Sequence, residues 1–422
     1  MNLSARGCTA FVLQLPAEFI IQGDDLMNKS VYMDNNATTH MKKEVLDAML
    51  PYYTEHFGNA SSKFYQIGRD AEAAVLKFRE SVANAIGAKT NEIYFTGSGC
   101  EADNWAIKGI ADAYKSKGNH IITSSIEHHA ILGSCEFLEK HGYEVTYLPV
   151  DENGLVNPDD VEKAITDKTI LISVMTANNE IGSIQPISEI SKIAKKHKIV
   201  FHTDAVQAIG HMKIDVNELG VDMLSISGHK FHGPKGIGVL YMKNGIRISN
   251  LIHGGGQERG KRAATENVAG MAGIAKAMEI AVRDLDKNVA EMKEKRNRLI
   301  KGIEEKIPYC RLNGPRDERR LCNNVNFSFK YIEGESILML LDMKGIAASS
   351  GSACASGSLD PSHVLLAIGL PHEIAHGSLR LSVGDDTTDE DVDYVLEVLP
   401  PIIERLRMMS PLYEEVLHAD KK

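Results

Sequence analysis

The chain contains 422 residues, of which 43% are hydrophobic and 25% are charged, and it carries a formal net charge of −10. This balance is typical of a soluble globular protein with length enough for about two or three domains and a large core. No basic stripe with interleaved aromatic residues is present, which argues against nucleic acid as a direct partner.

The cysteines are scattered and lack the CxxC spacing of zinc knuckles and redox motifs. This pattern argues against a disulfide framework and favours a reducing compartment, so we expect a cytoplasmic protein. The six cysteines are Cys8, Cys100, Cys135, Cys310, Cys322 and Cys354.

The first 26 residues are expected to form an extension outside the fold. Their apolar run, residues 11–21, is interrupted by Gln14, Pro16 and Glu18 and is too short to span a membrane. No small-residue cleavage site follows it, so it is a poor match to a signal peptide. We therefore expect the folded part to begin near Met27 and to have no membrane association.

The middle of the chain alternates short β-rich runs with amphipathic helical stretches. Near-continuous apolar strands separated by such helices predict an α/β fold with a mostly parallel central sheet covered by helices on both faces. Ligands of such sheets gather beyond the carboxyl ends of the strands. The predicted strands span residues 92–96, 120–124, 144–149, 169–175, 199–203, 222–227 and 237–242, and the predicted helices include 100–117, one beginning near 128, and 187–197.

A long helical pattern over residues 267–307 predicts a connector into a second region. Beyond it, strands at 323–329 and 378–384 alternate with helices, which predicts a smaller α+β domain. We therefore predict an arm over residues 27–40 that packs with the small domain, a large domain over 41–285 and a small C-terminal domain over 286–422.

Polar residues follow several of the predicted strands. Ser98 and Glu101 in "TGSGCEADN" have capping-box spacing, and the glycines there suit either a phosphate cradle or an ordinary capped helix. Asp204 follows the strand predicted at residues 199–203 and suits a cofactor contact, a structural ion pair or a helix cap. Lys230 in "GHKFHGPKG" is either a nucleophilic amine or a solvated loop lysine. A P-loop is excluded, because the motif GxxxxGK[ST] is not matched.

His128 and His129 follow another strand and raise the question of a metal site. No third ligand at a recognisable spacing supports zinc, so no metal is predicted. A flat ring at a strand end can instead stack on a cofactor. Together, a phosphate cradle, a carboxylate, a strand-end lysine and a stacking histidine fit pyridoxal phosphate, with the lysine bound to the cofactor and the aspartate paired with its ring nitrogen.

At this point the sequence resembles the cysteine desulfurases of the NifS/IscS kind, which are class-V aminotransferase-like, fold-type I enzymes dependent on pyridoxal phosphate. The resemblance runs from about Val31 to Tyr413 and is specific in the order and spacing of its motifs. These motifs are "DNNATT", "FGNASS", "EHHAIL", "NNEIG", "TDAVQAIG", "SGHKFHGPKGIG", "GGGQERGKRAATEN", "EGES", "SSGSACASG" and "MSPLY".

The resemblance implies a role for each matching position. Lys230 would hold the cofactor covalently, His128 would stack on its ring and take part in proton transfer, and Asp204 would pair with the pyridine nitrogen. Gln207 and Asn179 would lie near the ring hydroxyl, and Arg380 with Asn179 would bind the substrate carboxylate. The phosphate would be bound by Gly99, Cys100, Ser227, His229 and, from the second subunit of a homodimer, Thr265.

The resemblance also makes Cys354 the thiol that attacks the substrate sulfur and then carries that sulfur as a persulfide. Cys354 stands in "AASSGSACASGS", a stretch of small residues from which sulfur could be passed onward. His128 is a candidate base for that thiol, since the thiolate is the reactive form.

Two positions depart from the family pattern. Cys100 stands where threonine is common, and Asp385 stands where arginine is frequent. The thiol of Cys100 is a weaker hydrogen-bond donor than a hydroxyl, so its phosphate contact would fall to the main-chain amide. The sequence assigns no consequence to Asp385.

The activity implied is conversion of L-cysteine to L-alanine, with the sulfur destined for an iron–sulfur scaffold protein or another acceptor. The alternatives are a selenocysteine lyase on the same fold, an aminotransferase, which the "GHK" context and the Cys354 stretch disfavour, and a non-catalytic scaffold partner. The last is disfavoured because Lys230, Asp204, His128, Arg380 and Cys354 are all present.

Overall fold

The computed structural model describes residues 30–350 and 361–414. Numbered in chain order, the strands in these parts are β1 (Val31–Tyr32), β2 (Ile93–Thr96), β3 (His120–Ser124), β4 (Glu144–Leu148), β5 (Thr169–Ser173), β6 (Val200–Asp204), β7 (Met223–Ser227), β8 (Gly238–Met242), β9 (Cys310–Leu312), β10 (Asn324–Phe329), β11 (Ile346–Ala347) and β12 (Ser378–Ser382).

The helices are numbered in the same way, and most of them carry one apolar face. They are α1 (Lys43–Met49), α2 (Pro51–Thr54), α3 (Gln66–Ala85), α4 (Gly99–Tyr114), α5 (His129–Glu139), α6 (Pro158–Ala164), α7 (Ile187–His197), α8 (Val216–Leu219), α9 (Gln257–Gly260), α10 (Val268–Arg283), α11 (Leu285–Lys306), α12 (Gly334–Asp342), α13 (His363–Ala367), α14 (His372–His376) and α15 (Asp389–Met408).

The central sheet has seven strands in the order β2-β8-β7-β6-β5-β3-β4. Strand β8 runs antiparallel to both of its neighbours, and the other pairings are parallel. All five residues of β3, β6 and β7 are buried, because helices cover both faces of the sheet. The predicted mostly parallel α/β fold is confirmed.

Helix α7 shows how sequence produces this packing. Ile187, Ile190 and Ala194 recur at helical spacing and are buried, while the lysines of the helix, Lys192, Lys195 and Lys196, face solvent. The helix ends at Lys198, whose φ of 58° is left-handed and turns the chain into β6. In the described parts of the chain, no helix has both the length and the apolar character that crossing a membrane requires.

A second sheet forms in the C-terminal part of the chain. Strands β12-β10-β9 are antiparallel, and α11, α12 and α15 pack beside them around a separate apolar cluster. Val31 and Met33, near the start of the described chain, belong to this same cluster. The domain boundaries stay a prediction.

The long helical pattern predicted over residues 267–307 is helical in the structure and is interrupted once. The structure has two helices, α10 and α11, which meet at Asp284 with φ −102° and ψ 7°. Met271 and Met278 of α10 pack in a cluster of the central sheet, whereas Leu299 and Ile303 of α11 pack in the C-terminal cluster. The break lets one apolar stripe change direction between two cores.

Candidate active site

A cavity lined by many polar side chains lies at the carboxyl edge of the central sheet. Its volume is about 270 Å³, and its walls come from the turns that follow β2, β3, β5, β6 and β7. The carboxyl ends of parallel strands meet at one edge, so residues far apart in sequence converge there.

Ten of the twelve predicted site residues line this cavity. Thr265 is exposed and is not part of its lining, and Cys354 lies outside the described residues. The ten residues are Gly99, Cys100, His128, Asn179, Asp204, Gln207, Ser227, His229, Lys230 and Arg380.

The first turn of α4 forms one end of the cavity. Ser98 Oγ accepts a hydrogen bond from the Glu101 amide at 3.0 Å, which caps the helix as predicted. Glu101 does not complete the capping box, because its carboxylate accepts from the Gly97 amide and pairs with Arg262.

Gly99 leaves room at the start of this helix. A Cβ built on Gly99 would lie 2.9 Å from Val206 Cγ2 and 3.0 Å from Ser227 Cβ, closer than side-chain carbons pack. The first amides of a helix lack partners within the helix and favour anions. The main chain at Gly99 and Cys100, with Ser227 beside it, therefore suits a phosphate group.

Lys230 reaches into the cavity from the turn after β7. Its Nζ donates hydrogen bonds to the main-chain oxygens of Asn36 and Ala37, at 2.6 and 2.7 Å. These acceptors lie in the segment that follows β1. The amine is thus held at a defined point of the cavity wall and is not a solvated loop lysine.

Three buried carboxyl groups surround the floor of the cavity. Asp204 lies at the end of β6, and one of its oxygens accepts from the Val206 amide at 2.8 Å. Burial raises the pKa of Asp204 to about 6, against the hydrogen bond from Val206 and the charge of Lys230. Burial likewise raises the pKa of Glu127 to about 8 and that of Asp103 well above its usual range. A cationic group at Asp204 would favour its ionised form.

His128 presents an uncharged ring to the cavity. Burial, followed by the charges of Lys230 and two neighbouring histidines, lowers the pKa of His128 to about 4. Its Nδ1 accepts a hydrogen bond from the Ala130 amide at 3.1 Å, so the neutral ring carries its proton on Nε2. In this form His128 can donate a hydrogen bond from Nε2 to a group in the cavity.

Gln207 and Asn36 complete the wall beside Lys230. Gln207 Nε2 donates to the main-chain oxygen of Asn36 at 3.0 Å, while Gln207 Oε1 is buried with no partner among the described residues. A buried polar atom without a partner is costly unless a ligand satisfies it. The orphaned oxygen, the Gly99 cradle and the buried Asp204 fit the hydroxyl, phosphate and ring nitrogen of pyridoxal phosphate.

Arg380 is the largest polar side chain of the site and is 1% exposed. Its Nη2 lies 2.8 Å from Asp34 Oδ1, and its Nη1 donates to the main-chain oxygen of Asn179 at 3.1 Å. The Asn36 side chain donates to that same oxygen at 2.9 Å. Arg380 therefore contacts, through Asp34, the same segment whose main-chain oxygens accept hydrogen bonds from Lys230.

The residues on either side of segment 351–360 also lie at this site. Ser349 and Arg380 exchange main-chain hydrogen bonds, and Ser350 O accepts from Ser378 Oγ at 3.0 Å. On the far side, Ser362 Oγ donates to the Glu180 carboxylate, and His363 Nε2 lies 3.0 Å from Glu127 O. Both Glu180 and His363 line the cavity.

Sequence reasoning missed several contributors. Glu127 and Asp103 line the floor of the cavity. Glu127 directly precedes His128, and Asp103 lies in "TGSGCEADN", but neither was predicted as a site residue. Asn36 and Ala37 act through main-chain oxygens, which leave no trace in side-chain chemistry. Among the described residues, no group of three or more His, Cys, Asp or Glu side chains is arranged to hold a metal ion.

Comparisons with known proteins agree with this geometry. The class-V aminotransferase family matches residues 31–395. A Clostridium botulinum protein named cysteine desulfurase IscS is 62% identical over 392 residues, covering 93% of this chain and 98% of that protein. A Methanosarcina thermophila protein of the same name is 60% identical over 385 residues, covering 91% and 95%.

A solved structure is also similar. A NifS-like protein superposes with a TM-score of 0.84 at 39% identity, covering 90% of this chain and 100% of that one. Because matched identity extends over nearly the whole of each protein, the chain belongs to the class-V aminotransferase family and, within it, to the cysteine desulfurases of the NifS/IscS kind.

Proposed function

We propose that this protein is a cysteine desulfurase that converts L-cysteine to L-alanine and transfers the sulfur to Cys354 as a persulfide. The observation that carries the proposal is one cavity that holds Lys230, Asp204, His128 and Arg380 together. Its relatives in Clostridium botulinum and Methanosarcina thermophila bear the same activity in their names.

The cofactor in this proposal is pyridoxal 5′-phosphate. Gly99, Cys100, Ser227 and His229 would hold its phosphate, His128 would stack on its ring, Asp204 would pair with the ring nitrogen, and Gln207 and Asn179 would lie near the ring hydroxyl. When bound, it supplies a carbonyl carbon for an amine and a ring that draws electron density from the substrate Cα. Asp204 would keep the ring nitrogen protonated, since a cation beside it favours the carboxylate form.

Lys230 and His128 would handle protons in the reaction. Lys230 would take the proton from the substrate Cα, because its side chain already points into the cavity. His128 presents its Nε2–H to the cavity and would hydrogen-bond the reacting groups while Lys230 moves the proton.

Arg380 would bind the substrate carboxylate. Its planar guanidinium can offer two parallel N–H donors, which a lysine cannot. The contacts with Asp34 and Asn179 hold the group in place before substrate arrives. Burial strengthens the attraction, because water does not screen the pair.

In the sulfur step, the sulfur atom of the substrate cysteine is transferred to the thiol of Cys354. The Cys354 thiolate forms an S–S bond with the substrate sulfur while the substrate Cβ–S bond breaks. The electron pair of that bond stays with the substrate carbon, which takes up a proton, and alanine leaves. Cys354 stands four residues after Ser350, so an extended chain reaches about 14 Å from that anchor.

The proposal also covers the oligomeric state, the sulfur acceptor and the cellular compartment. Thr265 would reach the phosphate of the second subunit in a homodimer, which agrees with its exposure in a single chain. The persulfide would be passed to an iron–sulfur scaffold protein or another acceptor, and the enzyme would work in the cytoplasm.

Replacing Cys354 with alanine tests the proposal. The variant should still bind cysteine and change the visible absorbance, yet release no sulfide in the presence of dithiothreitol. Cys310→Ala, which removes a half-buried thiol far from the cavity, is the matched control and should keep full sulfide release. Sulfide release by Cys354→Ala at the wild-type rate would refute the acceptor role. Alanine formation from selenocysteine but not from cysteine would indicate the lyase instead.

A further inference from the structure

Asp385 lies just beyond β12 and joins three separate segments of the chain. Its side chain is 10% exposed, its Oδ2 forms an ion pair with Lys42 Nζ, and Asn288 Nδ2 approaches the same oxygen at 3.4 Å. Its Oδ1 lies 2.9 Å from His232 Nε2. One carboxylate therefore contacts the segment before α1, the turn after β7, and α11.

Two of those segments are already joined by main-chain contacts. The Thr39 amide donates to His229 O at 2.9 Å, the His232 amide donates to Thr39 Oγ1 at 2.7 Å, and the Lys42 amide donates to His232 O at 3.3 Å. His232 Nδ1 also lies 2.9 Å from His40 O. Asp385 adds a side-chain link between the same two segments, because it contacts both Lys42 and His232.

His232 has an unusual backbone. Its φ is 67°, in the left-handed region that residues with a side chain adopt rarely, although histidine tolerates it better than most. Such a conformation persists only where neighbouring contacts hold it. Since Lys230 is two residues earlier, the contacts of His232 help to set where the lysine points.

The charges around Asp385 favour its carboxylate form. Burial by itself raises the pKa of Asp385, but the interactions with His232 and Lys42 outweigh it and leave that pKa well below its usual range. The other titratable groups nearby are His211, whose pKa burial lowers to about 4, and His40, which pairs with Asp386 at 3.0 Å. Asp385 is thus a fixed anion facing two basic side chains.

We propose that Asp385 is a positioning residue that fixes the Lys230 turn against the strand carrying Arg380. Asp385 follows Arg380 by five residues, and a small cavity of about 30 Å³ has both Lys230 and Asp385 in its wall. The inference rests on the proposed function in that Lys230 carries the cofactor. It also explains the departure at this position, because an acidic residue here matches Lys42.

Reversing the charges tests this role. Asp385→Arg would set a third basic group against Lys42 and His232, whereas the double variant Lys42→Asp/Asp385→Arg would restore an ion pair of opposite sense. Asp385→Asn removes the charge with little change of shape and serves if Asp385→Arg does not fold. Asp386→Asn is the matched control, since Asp386 is 63% exposed and its partner His40 is exposed as well.

Two measurements distinguish positioning from general stability. In protein stripped of cofactor, hydrogen exchange of peptides spanning residues 228–233 should quicken in Asp385→Asn and Asp385→Arg, and not in Asp386→Asn. In the loaded enzyme, the pH midpoint of the visible absorbance should shift by about half a unit, because the nitrogen of Lys230 would face its acceptors differently. We expect kcat to fall by about tenfold to about 100-fold, as small misplacements of reacting groups do.

In the double variant Lys42→Asp/Asp385→Arg, the hydrogen exchange of residues 228–233, the pH midpoint of the visible absorbance and kcat should all return toward their wild-type values. The inference is overturned if Asp385→Asn and Asp385→Arg lower Tm while exchange at 228–233 and the pH midpoint stay unchanged, or if the double variant is no better than Asp385→Arg. Failure of the proposed function has a different signature: Lys230→Ala would then keep a covalently bound cofactor. The exchange measurement is independent of that outcome.

Discussion

Lys230 and Gln207 donate hydrogen bonds to the same main-chain oxygen, that of Asn36, at 2.6 and 3.0 Å. One residue comes from the turn after β7 and the other from the turn after β6, and the shared acceptor belongs to the segment after β1. The amine and the amide are therefore aligned by a third segment of the chain. Gln207 Oε1 has no hydrogen-bond partner among the described residues and is available to a ligand.

Lys230→Ala should abolish covalent attachment of the cofactor. The visible absorbance of the attached form should disappear, and borohydride treatment followed by mass spectrometry should find no modified peptide. Lys235→Ala, which removes an exposed lysine of the same loop, should keep both signals. A borohydride-stable adduct in Lys230→Ala would show that another residue holds the cofactor.

Arg380→Lys should weaken cysteine binding while leaving bound cofactor in place. Lysine keeps the charge but loses the paired N–H geometry, so we expect kcat/KM to fall by about 100-fold, chiefly through KM. Steady-state kinetics with cysteine measures the change. Arg298→Lys, at a partly exposed ion pair with Asp389, should behave as wild type. An unchanged KM would contradict the carboxylate role.

Gly99→Ala should lower affinity for the cofactor. The added methyl group would press on Val206 and Ser227 and displace the first turn of α4, where the phosphate is expected. Titration of cofactor-free protein with pyridoxal phosphate should give a Kd higher by about tenfold or more. Gly133→Ala is the control, because nothing lies within 4 Å of its Cβ position, and it should leave Kd unchanged. Equal affinity in both variants would argue against the cradle.

Glu127→Gln should make stability less dependent on pH. Burial raises the pKa of Glu127 in the folded protein from 4.5 to about 8, so the folded state favours the neutral acid. The contribution of this group is complete below pH 4.5 and is lost as pH rises toward 8, by about 1.4 kcal/mol per pH unit at most.

Glutamine keeps the acceptor for Ser124 and the Met175 amide but cannot ionise. Chemical denaturation between pH 5 and pH 9 should therefore show that the free energy of unfolding of the variant increases relative to that of the wild type as pH rises. Parallel curves for the two proteins would mean that the Glu127 carboxyl ionises normally in the fold.

Much of the architecture follows from the sequence because its strands are apolar on both faces. Runs such as residues 170–172 have few alternatives to a covered sheet, and the polar residues after such runs lie at the shared carboxyl edge. Asp204 and Lys230 could be found in this way. The strand bounds differ from prediction by one or two residues at their ends, where hydrogen bonding and not hydrophobicity decides.

Other features needed the three-dimensional structure. The break at Asp284 is hidden because apolar spacing continues on both sides of it, while the two halves face different cores. The ion pair between Lys42 and Asp385 spans more than three hundred residues, and neither residue has a local reason to be buried. The orientation of His128 was also hidden, since the donor to its Nδ1 is a main-chain amide.

The main-chain oxygen of Asn179 receives both the Asn36 amide and the Arg380 guanidinium. A contact of this kind survives almost any side-chain replacement at position 179, so an alanine scan would record only the role of the Asn179 amide group. Replacing the following peptide bond with an ester would weaken this acceptor directly. Tolerance of substitution in the segments around the cavity would therefore understate how much the site depends on them.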